Sequence, residues 1–180
     1  DGSFPVFSSD HAPYRYDSSG KLSAGAEPTF DKIANGVPGI EIRMPLLFSA
    51  GVTQGRMDIH RFVEVTATNA AKTYGLYPKK GTIAVGSDAD LGLWDPEKQV
   101  EIKADDLHDN MDYSPYEGMI ATGWPITVIS RGRIVVEENE LKVERGSGQY
   151  LKRERPEAAK PLEKLVKEMN PETNFNAKFI

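Results

Sequence analysis

Apolar positions change their spacing along this 180-residue chain, and the changes predict its elements. Val6 and Phe7 are a short apolar run ending in Ser8, Ser9 and Asp10, which reads as a strand followed by a turn. Ser18, Ser19, Gly20 and Pro28 predict a long surface loop over 14–31, and loops of that length are commonly functional. Residues 31–35 suit one helical turn, after which Gly36-Val37-Pro38-Gly39 enforces an irregular backbone. From Asp58 the period becomes helical: Ile59, Phe62, Val63 and Thr66 share a face, and Asp58 is placed as an N-cap. A second short helix is expected from Thr68 through Ala70, Ala71 and Tyr74, stopped by Gly75 with Pro78 beyond it.

Past Lys80 the period shortens towards two. Short strands are predicted at 82–85, 91–94, 100–102, 127–130, 133–137 and 140–143, with a hairpin at Glu138-Asn139, because Asn tolerates the left-handed backbone of a tight turn. After Gly146-Ser147-Gly148 the chain becomes charged, and a weak helix is expected at 157–169 before a polar tail. Three parts result: 1–80, 81–150 and 151–180.

Composition narrows the partners. With 27 acidic and 22 basic residues interspersed, net charge −5, there is no basic stripe to neutralise phosphates or anionic lipid, so neither nucleic acid nor membrane is expected. No run approaches the roughly 20 apolar residues of a membrane span, and the opening residues lack a signal-peptide layout, so a cytoplasmic protein is expected. Cysteine is absent, which leaves His, Asp and Glu to hold any metal. A strand so near the first residue needs neighbours to satisfy its backbone, and this suggests a segment of a longer polypeptide.

Chemistry concentrates in Ser8-Ser9-Asp10-His11-Ala12-Pro13, where an acid ends an apolar strand. In a barrel of parallel strands that edge carries active sites, and a carboxylate there can bind a divalent cation and move a proton. An Asp before a Pro-containing stretch is also an ordinary loop initiator. His11 follows directly, so in extended backbone its side chain points away from Asp10, and a structural role is favoured. His60 reads as a surface or packing residue on the first helix and His108 as a solvated loop residue.

The string Ser8 to Asp17 resembles the signature after the last barrel strand of cyclic amidohydrolases, the dihydropyrimidinase and D-hydantoinase family. Ile33-Ala34-Asn35-Gly36-Val37-Pro38-Gly39-Ile40-Glu41 and Arg43-Met44-Pro45-Leu46 are similar to its next segment. Thr68-Asn69-Ala70-Ala71-Lys72 follows, then the run from Gly75 to Leu91, then Ser114-Pro115-Tyr116-Glu117-Gly118 and Gly146-Ser147-Gly148-Gln149-Tyr150, all in family order. The resemblance implies an α/β fold: the last part of a (β/α)8 TIM-type barrel over 1–80, a β-sandwich portion over 81–150, and a tail with oligomer contacts over 151–180. It implies two divalent metal ions, usually zinc, with Asp10 as metal ligand and proton shuttle. The paired His, the bridging carboxylated Lys and two later His are expected outside this segment.

By the same resemblance Asn35 binds substrate through its backbone carbonyl, although Asn-Gly is also an ordinary turn. Dihydroorotases carry a substrate-binding His in the loop of Tyr14 and Arg15, and Tyr at that place argues against one. The expected reaction is hydrolysis of the cyclic amide of 5-substituted hydantoins or dihydropyrimidines, by a homotetramer that needs the rest of the polypeptide, this segment alone being inactive. The alternatives are allantoinase, dihydroorotase, a non-catalytic dihydropyrimidinase-related protein that keeps the fold, and a sandwich and tail serving assembly alone.

Overall fold

A computed structural model describes residues 2–156, and the expected helix at 157–169 lies outside them. Helical segments pack against a four-stranded antiparallel sheet whose strands lie side by side in chain order. The strands are β1 (Leu91–Glu101), β2 (Ile120–Ser130), β3 (Arg133–Glu137) and β4 (Glu140–Leu141). Both expected strands at 91–94 and 100–102 fall in or beside β1, joined through an irregularity between Asp95 and Gln99. There the Asp95 side chain accepts the N–H groups of Glu97 and Lys98 at 2.9 and 3.1 Å, satisfying donors that the ladder leaves out. The 133–137 strand is found with the expected bounds, and the last strand is shorter than expected. Glu138 and Asn139 both have positive φ, 47° and 66°, as the hairpin reading requires. Arg131 and Gly132 make the equivalent turn between β2 and β3.

Two expectations are corrected. Residues 82–85 form no strand: Ile83 and Val85 are exposed, and apolar alternation without a ladder partner makes no sheet. The two helices read after Asp58 are one continuous helical run, α2 (Ile59–Val63) and α3 (Asn69–Thr73) joined by a π-helical turn at Glu64–Thr68. Thr66 Oγ1 donates to the Phe62 carbonyl at 2.7 Å and competes for that acceptor, which accompanies the widened turn. Asp58 caps the run by accepting the Arg61 N–H at 2.7 Å, and Gly75 ends it with φ 68°. Val6 and Phe7 pair with no strand among the described residues, and the Phe7 N–H donates to the Val65 carbonyl at 2.9 Å. A barrel strand takes its ladder from neighbours on either side, and the described sheet supplies none to this segment.

An element not anticipated is α1 (Arg43–Leu47), which continues as a π-helical stretch over Phe48–Thr53. Pro45 and Gly51 disguise it in the sequence. Pro45 falls in the first turn, where its missing N–H has no partner to lose. This helix makes the seam with the sheet: the Phe48 ring stacks on Trp94 at 4.9 Å, and Phe62 meets both rings edge-on. Ser49 and Thr53, one turn apart, take the backbone N–H and carbonyl of Thr122 at 3.0 and 3.1 Å. Below them Ile42, Ile102, Ala121 and Trp124 form the buried core. Among the described residues no helix is long and apolar enough to cross a membrane.

The 80–90 segment is tied to the sheet by charge. Lys80 Nζ pairs with Asp88 at 2.9 Å and with Asp90, whose other oxygen accepts the Arg131 N–H at 2.8 Å. Burial opposes ionisation of Asp90, but the bonds from Lys80 and Arg131 outweigh it and hold the carboxyl below its ordinary 3.8.

Two predictions follow from this packing. Gly123 has φ 92°, and a Cβ there would lie 2.2 Å from the Phe48 ring, whereas Gly132 at φ 76° faces open space. Gly132→Ala should therefore cost about 1 kcal/mol of backbone strain. Gly123→Ala should cost about 1–3 kcal/mol more for displacing the ring, read by urea unfolding. For Asp90 the folded value is lowered, so its contribution is present above 3.8 and is lost as pH falls through the folded value. Stability of Asp90→Asn should fall less steeply than that of the wild type in an acid titration, and identical slopes would count against the pairing.

Candidate functional site

The segment after Asp10 and the segment after Asn35 are bonded directly to one another. The Ala12 N–H donates to the Val37 carbonyl at 3.3 Å. His11 Nδ1 accepts the N–H groups of Gly39 and Ile40 at 3.2 and 3.4 Å, so its other ring nitrogen carries the proton. His11 thus has the structural role expected of it. Gly36 makes the approach possible: its φ is 99°, and a Cβ would meet the Ala12 Cβ and carbonyl oxygen at 2.5 Å.

Asp10 itself has φ 47°, a left-handed backbone that Asp tolerates better than most residues. Its side chain is exposed and makes no hydrogen bond or ion pair with the described residues, so both carboxylate oxygens are open to a ligand. Asn35 is exposed as well, and nothing among the described residues bonds to its carbonyl. As a metal donor Asp10 fits a hard or borderline cation. It is a single ligand: no group of three or more His, Asp or Glu able to hold a metal ion exists among the described residues.

The 14–31 loop begins with Tyr14 exposed and is tied to the connection between β1 and β2. Arg15 pairs with Asp17 at 3.0 Å and donates to the Asn110 carbonyl at 3.3 Å, while the Tyr16 N–H donates to Asp112 at 2.9 Å. The hydrogen bond from the Ser19 hydroxyl, followed by that from Arg15, lowers the Asp17 carboxyl below its usual range. Lys21, which the sequence did not single out, is buried, and its Nζ donates to the carbonyls of Ala34 and Gly36 at 2.8 and 2.7 Å. A lone Lys in a Gly- and Ser-rich loop carries no local signal that would have revealed this.

The other two His are remote from Asp10 in contact terms. His60 is exposed on α2, as expected. His108 is more than a solvated loop residue, because its ring and backbone N–H are both held by Glu41, at 2.8 and 2.7 Å. Neither Asp10 nor Asn35 lines any of three cavities, the smallest of which, ≈ 190 Å³, lies around Lys98, Ile102 and Trp124. One of ≈ 830 Å³ lies between helices and sheet around Phe48, Phe62 and Trp94, and one of ≈ 370 Å³ lies between residues 7–9 and 37–39.

A single acid at a turn is thus joined to a Gly- and Pro-rich loop, in a chain that belongs to the amidohydrolase family, whose pattern matches residues 1–135. Within it, the chain is similar to the D-hydantoinase of Geobacillus stearothermophilus, 43% identical over 152 residues, 84% of this chain and 32% of the relative. It is 50% identical over 125 residues to the dihydropyrimidinase of Rattus norvegicus, 69% of this chain and 24% of that one. Among solved structures, the D-hydantoinase (dihydropyrimidinase) of a Thermus species superposes with a TM-score of 0.79 at 43% identity, over 84% of this chain and 32% of that chain. The chain thus spans about a third of the length of the curated hydantoinases it matches.

The clamp is open to test. Gly36→Ala should push the two segments apart and speed hydrogen exchange at the Ala12 amide, measured by mass spectrometry. Unchanged protection would show that the contact tolerates a side chain.

Proposed function

We propose that this chain is the carboxy-terminal part of a metal-dependent hydrolase that opens cyclic amides. The substrates are 5-substituted hydantoins or dihydropyrimidines, and the products are N-carbamoyl amino acids. The observation that carries this reading is the likeness to D-hydantoinases and dihydropyrimidinases at 43–50% identity, beside a family pattern whose match, residues 1–135, includes Asp10 and Asn35. In this reading residues 1–80 close a (β/α)8 barrel, 81–150 are part of a β-sandwich and 151–180 are a tail. The whole protein is a cytoplasmic homotetramer.

A pair of divalent cations, zinc in the usual case, supplies an activated water and polarises the substrate carbonyl when bound. Asp10 offers one carboxylate oxygen as a ligand, and the open coordination of its side chain suits that task. During hydrolysis the water oxygen bonds to the carbonyl carbon and the ring C–N bond breaks. Asp10 takes the water proton on its second oxygen and returns it to the departing nitrogen. Asn35 accepts a ring N–H through its backbone carbonyl and sets the ring's orientation.

In the full-length enzyme Asp10→Ala removes a ligand and a proton carrier together. Turnover of hydantoin and dihydrouracil should fall by several powers of ten, about what loss of a catalytic group costs elsewhere. Metal analysis of the same preparations separates loss of a cation from loss of the proton carrier. Turnover like the wild type's in Asp10→Ala would remove the assignment.

A further inference from the structure

A buried ammonium ordinarily faces a carboxylate, because hydrogen bonds to neutral groups only partly replace the water it has lost. Lys21 does not follow that pattern. It is 7% exposed, it makes no ion pair among the described residues, and its Nζ is spent on the carbonyls of Ala34 and Gly36. Those are the residues immediately before and after Asn35. One cation has drawn two alternate carbonyls to itself. The carbonyl between them has no partner among the described residues.

The rest of the loop serves to bring this ammonium to its place. The Lys21 N–H donates to the Arg15 carbonyl at 2.9 Å, and the Leu22 N–H donates to the Asp17 carbonyl at 2.9 Å. A Cβ at Gly20 would lie 2.3 Å from the Arg15 oxygen, so the turn before Lys21 closes only with glycine. Arg15 and Tyr16 anchor the loop to Asn110 and Asp112. Without the cation, the carbonyls of Ala34 and Gly36 would be unmatched acceptors in a partly buried strip, and the strip would turn to find other donors.

We propose that Lys21 is a positioning residue for recognition of the cyclic substrate: by clamping carbonyls 34 and 36 it aims carbonyl 35 at the ring N–H. This rests on the reading of Asn35 given above. Lys21 touches neither substrate nor reacting atoms, and its effect is on binding orientation rather than on the bond-breaking step. The substrate feature it serves is a donor N–H on a planar cyclic ureide or imide.

The test uses the full-length, metal-loaded enzyme with Lys21→Met, which keeps length and loses charge, and Lys21→Arg, which keeps charge and spreads the donors. KM and kcat are measured for a 5-substituted hydantoin. The two singly ring-N-methylated forms of that hydantoin are then tested as competitive inhibitors. Loss of one aimed hydrogen bond should raise KM in Lys21→Met about five- to tenfold, with kcat and metal content close to wild type. The weakening should disappear for one N-methylated inhibitor, the one whose methyl replaces the hydrogen that the Asn35 carbonyl accepts. Lys21→Arg should show the same selectivity with a smaller rise in KM, and it decides the matter if Lys21→Met does not fold. Unchanged KM in the folded variants, or equal weakening of the hydantoin and both methylated forms, overturns the role of Lys21. If Asp10→Ala abolishes turnover while the Lys21 variants behave as wild type, this inference alone fails. Absence of cyclic-amide hydrolysis by the wild type overturns the functional reading and this inference together.

Discussion

The contact of the Phe48 ring with the backbone of Gly123 is the constraint on which the rest of the described structure turns. Only a residue without Cβ lets the ring reach Trp94, and the stacked pair then receives Phe62 from the second helical run. One close approach therefore joins three elements: α1 with its continuation, the run from Ile59 to Thr73, and the β1–β2 pair. The energy comes from apolar and aromatic area removed from water, which is non-directional, and the glycine supplies the direction. Because α1 begins four residues after Gly39, fixing it on the sheet also fixes where the 36–39 loop leaves the helix.

On the other side of that loop, polar bonds do what apolar packing does at the seam. The His11 ring holds the amides of Gly39 and Ile40, Lys21 holds the carbonyls of Ala34 and Gly36, and Arg43 holds the Phe7 carbonyl at 2.6 Å. Irregular backbone cannot satisfy its own donors and acceptors, so side chains must, and each such bond fixes one peptide plane. Asp10 and the Asn35 carbonyl are among the groups left out of this accounting, and they are the two that the family resemblance assigns to chemistry. A loop whose peptides on either side of a position are held can present the group between them in a fixed direction.

Local chemistry was legible wherever one residue settles its own backbone. Asp58 announces a cap, Gly75 a helix end, and Glu138-Asn139 a tight hairpin, because each choice depends on a side chain and the few peptide groups beside it. Legibility failed where a distant partner decided. Gly123 and Pro125 interrupt the β pattern, so the first half of β2 could not be read, although Ser49 and Thr53 meet its Thr122 backbone across the seam. Val85 and Ile83 sit in a strand-like pattern and remain outside any ladder, because alternation specifies a face and not a partner.

By itself, then, the order of residues determined the family, the acid at position 10, the Asn-Gly before the irregular loop, and the caps and turns that bound the helices and hairpins. These are properties of short strings, in which the interacting groups are covalent near neighbours. Tertiary structure alone decided that the two helices after Asp58 run on as one, that His108 belongs to Glu41, and that Lys21 reaches across the loop to the peptides flanking Asn35. A buried ammonium and the carbonyls that satisfy it are 13 and 15 residues apart, and no periodicity links them. Their pairing exists only once folding has removed water from both.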